Sequence, residues 1–292
     1  PAATSAMTVI PHAVELSVGA LRLALRPDLG GVIAGLWHGG LPVLRSTEPL
    51  ALENSNLSAC YPLLPYSNRI GFSCFGWPGQ QCTTRPNYKD NPHSLHGVGW
   101  QRPWTVQSQR DDDAVLHLAH PGDGDWPFPF EAQHAFALTP TGLDVGLSIV
   151  NQAAHAAPVG LGWHPYFPKR QRRHLQAALT GRWESDPATE LPTRLAPHPG
   201  IDGEVADFGF DHCFNGWQGP AQLTDERLHI ALTSSLNHLV VYTPQSRDYY
   251  CVEPVSHVIN AIQMADPAAH GLGTLQPGER FEAWMKFDIK AV

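Results

Sequence analysis

The sequence predicts an all-β protein, built mostly from antiparallel strands with few short helices. Apolar and polar residues alternate with a period of two along much of the chain, which is typical of strands buried on one side. The chain also contains 27 prolines and 26 glycines, which favour tight turns between such strands. Amphipathic helical periodicity is scarce, and this disfavours an alternating α/β fold.

The alternation is clearest in residues 21–26, 143–149 and 281–290. Each of these segments places apolar side chains on one face and mostly polar ones on the other. Turn sequences separate neighbouring runs, as in TPTG at 139–142 and QPG at 276–278. We therefore expect antiparallel hairpins.

Two segments lack a clear strand pattern. Residues 256–264 form the best helical candidate, although their length also suits a single helical turn. The stretch from Asp186 to Gly209 is rich in Pro, Gly and Asp, which predicts a long surface loop rather than a domain boundary. At 292 residues, the length alone permits one or two domains.

Composition disfavours several classes of partner. The 19 basic and 27 acidic residues give a net charge of -8, so we expect no binding to nucleic acid or to an anionic membrane. The densest acidic run, Asp111 to Asp113, predicts a solvated turn. No apolar stretch approaches the roughly 18–20 residues that span a bilayer, and residues 1–20 lack a basic region followed by an apolar block. The first residue is Pro rather than Met, so we expect that a few residues precede it in the protein.

Five cysteines occur at positions 60, 74, 82, 213 and 251, without a C-x-x-C pair. This odd, scattered set favours reduced and mostly buried thiols, typical of the cytoplasm, over a disulfide framework or a structural zinc site.

A histidine stands in the stiff aromatic segment GWHPYFP at residues 162–168. The proline at position 165 restricts His164 to extended geometry, which fixes the direction of the imidazole. Either a catalytic histidine or a core histidine bonded to a carbonyl fits this position.

A similar arrangement occurs in YYCVEP at residues 249–254, where Glu253 directly precedes a proline. Tyr249, Cys251 and Glu253 are predicted to share one strand face. A carboxylate on such a face is costly to desolvate unless it is paired or lines a wet cleft. A site residue and a structural ion pair both remain open.

Histidines spaced by three, His93 with His96 and His117 with His120, give only a weak metal signal, since no carboxylate or thiolate stands at a suggestive spacing. The G-x-S-x-G elbow, the P-loop and the strand-linked G-x-G-x-x-G fingerprint are all missing from the sequence. The remaining inventory of His, Glu and scattered polar groups among aromatics suits a neutral polyhydroxylated ligand.

Five stretches in order resemble the aldose 1-epimerase (galactose mutarotase) family: NRIG at 68–71, LHG at 95–97, GWHPYFP at 162–168, DHCF at 211–214 and VEP at 252–254. The resemblance spans most of the chain. It implies a single domain over residues 1–292, a β-supersandwich with a cleft on one sheet face, and interconversion of the α and β anomers of a free aldose. It further implies a monosaccharide as the partner, no cofactor, no metal, and a cytoplasmic isomerase of carbohydrate metabolism that is a monomer or a weak homodimer.

By the same resemblance, Glu253 is similar to the general base of the family and His164 to its general acid. Arg69, His96, Asp211 and the neighbouring Asn68 are similar to groups that bind sugar hydroxyls. With ordinary pKa values of about 4.3 and 6.5, the carboxylate is ready as a base while a minority of the imidazole is protonated. We expect a neighbouring carboxylate such as Asp211 to raise the protonated fraction of His164. The sequence departs from well-known galactose mutarotases at HGVGW and HPYFP, which bears on sugar preference.

Three alternatives remain. A hexose-6-phosphate 1-epimerase would need an anion site, for which the basic cluster of Lys169, Arg170, Arg172 and Arg173 is a candidate, although a solvated basic loop is favoured. A non-catalytic sugar-binding protein would not need a matched acid and base. A glycosidase would use two carboxylates, and Asp211 would have to be the second.

Overall fold

The computed structural model describes residues 12–292, and the expectations about the N-terminus that concern residues 1–11 lie outside this range. Strands dominate the described chain. They are Val14–Val18 (β1), Leu21–Arg26 (β2), Val32–His38 (β3), Leu41–Pro42 (β4), Cys60–Leu63 (β5), Arg69–Ile70 (β6), Cys74–Trp77 (β7), Gln80–Thr83 (β8), Ser94–Leu95 (β9), Thr105–Gln109 (β10), Asp113–His120 (β11), Phe130–Thr139 (β12), Gly142–Asn151 (β13), Ala157–Val159 (β14), Gly162–Pro168 (β15), His174–Ala178 (β16), Gly181–Ser185 (β17), Pro192–Pro197 (β18), Ile201–Glu204 (β19), Asp211–Asn215 (β20), Gln218–Thr224 (β21), Leu228–Ser234 (β22), His238–Tyr242 (β23), Tyr249–Val255 (β24), Gly273–Leu275 (β25) and Arg280–Ala291 (β26).

Helical structure within residues 12–292 is limited to single 3-10 turns. They are Pro27–Leu29, Pro49–Ala51, Ser55–Leu57, Gly71–Ser73, Gly99–Gln101, Val205–Asp207, Ala261–Gln263 and Ala268–His270. None of these helices is long and apolar enough to cross a membrane. The all-β prediction is confirmed, and the helical candidate at 256–264 contains one short turn.

Two large sheets carry most of the strands. The first follows the order β1-β2-β3-β5-β15-β24-β23-β20-β17-β18, with β4 beside β3, and the second follows β10-β11-β12-β13-β26-β22-β21-β16-β19. The strand neighbours within both sheets are antiparallel. The alternating segments at 21–26, 143–149 and 281–290 lie in β2, β13 and β26, as predicted.

The core lies between the inner faces of the two sheets. Phe167 of β15 packs against Phe287 of β26 with ring centroids 6.3 Å apart. The indole N–H of Trp163 on β15 donates a hydrogen bond of 3.2 Å to His134 Nε2 on β12. Trp163 is fully buried. These contacts tie the middle of the first sheet to the second, and the opposite face of the first sheet is left to form the cleft described below.

The prediction of a loop from Asp186 to Gly209 is wrong in part. This segment contains β18 and β19, and each of them ends a sheet. Strand β18 is largely exposed, so it has no buried face to impose an apolar alternation on the sequence.

The solvated turn predicted for the acidic run is confirmed at Asp111 and Asp112, which are exposed between β10 and β11, whereas Asp113 is half-buried and begins β11. The prediction of reduced and mostly buried thiols is also confirmed. All five cysteines are free thiols, of which Cys74 is half-buried and the other four are buried.

Candidate active site

The centre of the first sheet brings His164 and Glu253 together from β15 and β24. Gly162 pairs with Val255, and Tyr166 pairs with Cys251, so the antiparallel register places His164 opposite Glu253. His164 Nε2 lies 3.3 Å from Glu253 Oε1. Both side chains are nearly inaccessible, at 9% and 3% of their full exposure.

The local sequence explains why these two groups meet. Each precedes a proline, which favours extended backbone and leaves no N–H for the ladder hydrogen bonds. Because side chains alternate along a strand, His164 and Glu253 project away from the core on the face opposite Trp163. Tyr249 and Glu253 line the cleft, and Cys251 Sγ lies within 4.8 Å of the ligand atoms of His164 and Glu253, as the shared strand face predicted.

A column of stacked side chains holds the imidazole of His164. The ring of Tyr166 stacks on one side with centroids 4.5 Å apart, and Tyr61 lies on another side at 4.7 Å. Trp100 extends the column by stacking on Tyr61 at 5.2 Å. At the other end, the guanidinium carbon of Arg45 lies 3.6 Å from the centroid of Tyr166. Stacking and cation–π contacts of this kind fix ring orientation and stabilise the assembly.

Burial shifts the proton affinities of the pair in opposite directions. Desolvation, together with the charge of Asp211, raises the pKa of Glu253 well above its ordinary value, and Arg69 opposes this shift. Desolvation, His96 and Arg45 lower the pKa of His164. Both shifts favour uncharged forms, because a buried charge loses its hydration.

The two groups are coupled, and the shifts favour a carboxylic acid beside an uncharged imidazole. Transfer of the carboxyl proton to the imidazole converts this neutral pair into an ion pair. The expectation that Asp211 raises the protonated fraction of His164 is wrong, because the pKa of His164 is lowered and the charge of Asp211 acts on Glu253.

Each member of the pair also has a buried atom without a hydrogen-bond partner. These atoms are His164 Nδ1 and Glu253 Oε2. An unpartnered buried polar group costs about 1–3 kcal/mol, and such groups call for a functional explanation.

Asn68 and His96 are locked together beside the pair. The amide N–H of Asn68 donates to His96 Nδ1 over 3.2 Å, and the amide N–H of His96 donates to the Asn68 carbonyl over 2.8 Å. Both residues adopt left-handed backbone conformations, with φ of 57° and 63°, and these would cost energy without such contacts. Burial, assisted by Arg69, lowers the pKa of His96 to about 3. His96 is therefore neutral, with its proton on Nε2, where it can act as a donor.

Arg69 lies next in sequence, where β6 pairs with β9. Its Nη1 donates to Asn68 Oδ1 over 3.0 Å, and its Nη2 forms an ion pair of 2.7 Å with Glu190. Asp211 begins β20 and pairs in register with Tyr242 of β23. Desolvation raises the pKa of Asp211, and the charge of Arg69 acts against this shift.

All six residues predicted from the resemblance line one cleft of about 570 Å³, a volume typical of small-molecule sites. Aromatic side chains supply much of its wall: Tyr61, Tyr88, Trp100, Tyr166, Tyr242 and Tyr249. The site therefore combines apolar ring faces with a few fixed polar groups, as expected for a ligand that presents both C–H faces and hydroxyls.

Comparison with known proteins identifies the family. A family model described as aldose 1-epimerase matches residues 12–288. The chain belongs to the aldose 1-epimerase family.

Relatives of this aldose 1-epimerase family member support the assignment and the fold. The uncharacterized protein YphB of Escherichia coli K12 is 30% identical, over 94% of this chain and 98% of its own length. A crystal structure of a candidate aldose 1-epimerase from Escherichia coli K12 superposes with a TM-score of 0.87 at 28% identity, covering 96% of this chain and 99% of its own. A galactose mutarotase-like protein from Clostridium acetobutylicum has the same fold, with a TM-score of 0.82 at 20% identity and 98% coverage of both chains.

Several cleft residues were missed by the sequence reasoning. Arg45 follows β4, Tyr61 lies in β5, and Glu190 precedes β18. Each reaches the site through contacts between distant parts of the chain, and no local pattern marks it. Tyr166 and Trp100 belong to the aromatic motifs of the sequence, but the stacking of Tyr166 on His164 and of Trp100 on Tyr61 follows only from the tertiary structure.

The histidine pairs considered as weak metal signals are separated by the fold. His93 bonds to Phe72 and Thr189, whereas His96 faces the cleft. His120 bonds to the carbonyl of Trp126, and His117 lies 3.7 Å from Glu131. A different trio, His164, Cys251 and Glu253, places its ligand atoms within 4.8 Å of one another. Desolvation raises the pKa of Cys251 well above its ordinary value, which keeps it a thiol and a poor metal ligand.

The basic cluster at 169–173 does not line the cleft. Lys169 donates to the carbonyl of Pro244, and Arg170 forms an ion pair with Asp225. Arg173 is buried and donates to the carbonyls of Pro168 and Arg172. The favoured interpretation as a solvated loop is wrong in part, because only Arg172 of this cluster is exposed. These contacts give the cluster a structural role and remove its support for a phosphate site.

Proposed function

We propose that the protein is an aldose 1-epimerase that interconverts the α and β anomers of an aldose by acid–base-catalysed ring opening and closure. The observation that carries this proposal is the buried His164–Glu253 pair, in which Nε2 and Oε1 lie 3.3 Å apart and each residue retains one unpartnered polar atom.

Ring opening needs a base at the anomeric hydroxyl and an acid at the ring oxygen. Starting from the ion-pair form, Glu253 takes the proton of the anomeric hydroxyl while His164 gives its proton to the ring oxygen. The C1–O5 bond breaks, C1 becomes an aldehyde, and the pair is left uncharged.

Ring closure reverses these transfers on the other face of the aldehyde. After rotation about C1–C2, His164 takes the proton of the C5 hydroxyl as its oxygen attacks C1, and Glu253 returns a proton to the new anomeric oxygen. The pair is again ionised, and no proton is gained or lost.

The remaining predicted residues are proposed to hold the sugar. His96 can donate from Nε2, and Arg69 and Asp211 offer a donor and an acceptor for vicinal hydroxyls. The side-chain nitrogen of Asn68 makes no hydrogen bond to the described residues and is free for a sugar oxygen. The ring faces of the cleft can pack against the C–H face of the sugar.

The test follows the anomeric equilibrium after dissolving pure α-anomers of glucose, galactose, arabinose and fucose. We expect the wild type to accelerate at least one sugar in polarimetry, and Glu253→Gln to lower kcat by about 10²–10⁴-fold. Glu282→Gln is a matched control, because Glu282 is an exposed residue of the second sheet, and it should behave as the wild type.

Other results would overturn the proposal. Sugar binding without acceleration would favour the non-catalytic sugar-binding protein. Release of reducing sugar from an oligosaccharide, abolished by Asp211→Asn, would favour a glycosidase.

A further inference from the structure

The distribution of charge in the cleft is uneven. Arg69 is neutralised by Glu190 at 2.7 Å, but three other cations that line the cleft have no such partner. Among residues 12–292, no carboxylate lies within 4 Å of Arg45, Lys89 or Arg247. The protein as a whole is acidic, with a net charge of -8, so an unpaired basic region within its ligand cleft is not a general property of the surface.

Arg45 is held in place by fixed contacts rather than by a carboxylate. Its Nη2 donates to the carbonyls of Asn56 and Ser58 over 2.9 and 2.7 Å, and its Nε donates to Ser58 over 3.2 Å. The planar group stacks on Tyr166 and also lies 4.8 Å from the ring centroid of Tyr249. Its Nη1 makes no hydrogen bond with the described residues, although Arg45 lines the cleft. The Nη1 group of Arg45 is therefore fixed in position and available to bind a ligand.

Arg247 approaches the same place from the turn between β23 and β24. It is exposed and lines the cleft. Burial raises the pKa of Tyr249, and the charges of both Arg45 and Arg247 act in the opposite direction, so both cations lie near this phenol. Lys89 adds a third charge on the wall, with its Nζ 4.9 Å from the ring centroid of Tyr88.

Arg45, Lys89 and Arg247 form the basic end of the cleft. Its position relative to the sugar follows from the proposed roles of His164 and Glu253. Arg45 reaches His164 through a single aromatic ring, Tyr166, whereas Asp211 and Arg69 act on Glu253. In the proposed reaction His164 serves the ring oxygen and Glu253 serves the anomeric hydroxyl. The exocyclic carbon of a hexose is attached to the carbon next to the ring oxygen, so it lies on the His164 side, towards Arg45 and Arg247.

We infer that the preferred aldose carries an anionic group on this exocyclic carbon, and that Arg45 and Arg247, with the hydroxyl of Tyr249, bind it. This inference rests on the proposed epimerase function and narrows its substrate class to acidic sugars. A 6-phosphate ester and a 6-carboxylate share the required chemistry, since both accept charge-assisted hydrogen bonds from guanidinium groups.

The experiment compares three sugars of one configuration: glucose, glucose 6-phosphate and glucuronate, together with the corresponding galactose series. Exchange between the α and β anomeric proton signals is measured by NMR at equilibrium, and the uncatalysed rate of each sugar is subtracted. We expect kcat/KM for one acidic sugar to exceed that of its neutral counterpart by about tenfold or more. The two acidic arms distinguish the phosphate ester from the carboxylate.

Variants assign the effect to residues. Arg247→Gln and Arg45→Gln should each lower the ratio of acidic to neutral kcat/KM by about tenfold. Arg110→Gln is the matched control, since Arg110 is 79% exposed and lies between β10 and β11 of the second sheet. Raising the salt to about 0.5 M should reduce the same ratio, because exposed charges such as Arg247 are screened.

The outcomes separate the inference from the function on which it rests. Acceleration of neutral sugars with a ratio near one overturns the inference and leaves the epimerase function standing. A high ratio that neither arginine variant changes overturns the assignment to this basic end. Acceleration of no sugar, acidic or neutral, overturns the proposed function itself.

Discussion

His134 and His164 are both buried, but the fold satisfies only the first. His134 Nδ1 donates to the carbonyl of Gly31 over 3.1 Å, and its Nε2 accepts the indole N–H of Trp163 over 3.2 Å. His257 is likewise satisfied, since Nδ1 donates to Val258 and Nε2 accepts from the amide of Ser67. In His164, Nδ1 has no partner, and Nε2 faces a carboxyl that is itself unsatisfied at Oε2.

An unmet hydrogen bond at the wall of the cleft distinguishes His164 from His134 and His257. Nδ1 of His198 and of His238 is also unpartnered, but neither residue lines the cleft. Burial lowers the pKa of the His134, His164 and His257 rings, so low proton affinity alone does not mark a site. A polar group that remains unpaired at the wall of a cleft is held there at a cost in stability, and a ligand can recover that cost.

The largest expected effect is on catalysis at the unsatisfied ring. His164→Gln removes the group proposed to serve the ring oxygen, so kcat should fall by about 10²–10⁴-fold. The free energy of unfolding should fall by less than about 2 kcal/mol, because the lost ring stacking contributes about 0.5–1.5 kcal/mol and Nδ1 has no hydrogen bond to lose. Mutarotation kinetics and urea unfolding measure the two quantities, and a large loss of stability would contradict the comparison.

The opposite behaviour is expected of the satisfied ring. His134→Leu leaves the indole N–H of Trp163 and the carbonyl of Gly31 without partners, at about 1–3 kcal/mol each. Urea unfolding should therefore show a loss of about 2–6 kcal/mol, with kcat of the folded fraction within a few-fold of wild type. A variant as stable as wild type would show that these bonds contribute little.

The pH dependence of stability distinguishes the same ring again. Burial lowers the pKa of His134 to about 3, whereas an unfolded histidine titrates near 6.5. Below pH 6.5 this histidine binds a proton in the unfolded chain but not in the folded chain. The free energy of unfolding therefore decreases as the pH is lowered. Between pH 7 and 5 this ring accounts for about 2 kcal/mol of the change. Urea unfolding should show that the decrease in the free energy of unfolding over this pH range is smaller by that amount in His134→Leu. An equal decrease in wild type and variant would contradict the low pKa of His134.

Activity should also fail at low pH, for a different reason. The proposed reaction needs one proton on the His164–Glu253 pair, and a second proton converts the pair to carboxylic acid plus imidazolium. Because burial lowers the pKa of His164, the acid limb of kcat/KM should lie below pH 6.5 and fall about tenfold per pH unit. An acid limb above pH 6.5 would show that the pair favours the charged imidazole.

The smallest effect concerns the stack that orients His164. Tyr166→Leu removes the ring between His164 and Arg45, and such contacts contribute about 0.5–1.5 kcal/mol, so kcat should fall by about threefold to tenfold. Tyr166→Phe keeps the ring and loses only the hydroxyl contact of 3.3 Å with Tyr61, and it should stay near wild type. Equal losses in both variants would assign the effect to the hydroxyl instead.

The sequence predicts those parts of the fold and of the site that depend on local patterns of residues. Strands β2, β13 and β26 follow from their alternation, and the shared face of Tyr249 and Glu253 follows from strand periodicity. The exposed edge strand β18 has no such pattern and was missed. His164 and Glu253 are distant in sequence, and only the family resemblance brought them together. Arg45 and Glu190 were not predicted as cleft residues, because their partners lie on other segments.

The hydrogen bond from Trp163 to His134 bears on how sugar specificity could evolve in this fold. Trp163 and His164 are neighbours on β15, so the imidazole proposed to react is anchored through the backbone to the second sheet. The proposed catalytic pair thus lies on strands, while Lys89, Glu190 and Arg247 belong to connecting segments. Substitutions in those segments can exchange one sugar for another without disturbing proton transfer, so new specificities can arise by drift on an unchanged catalytic frame.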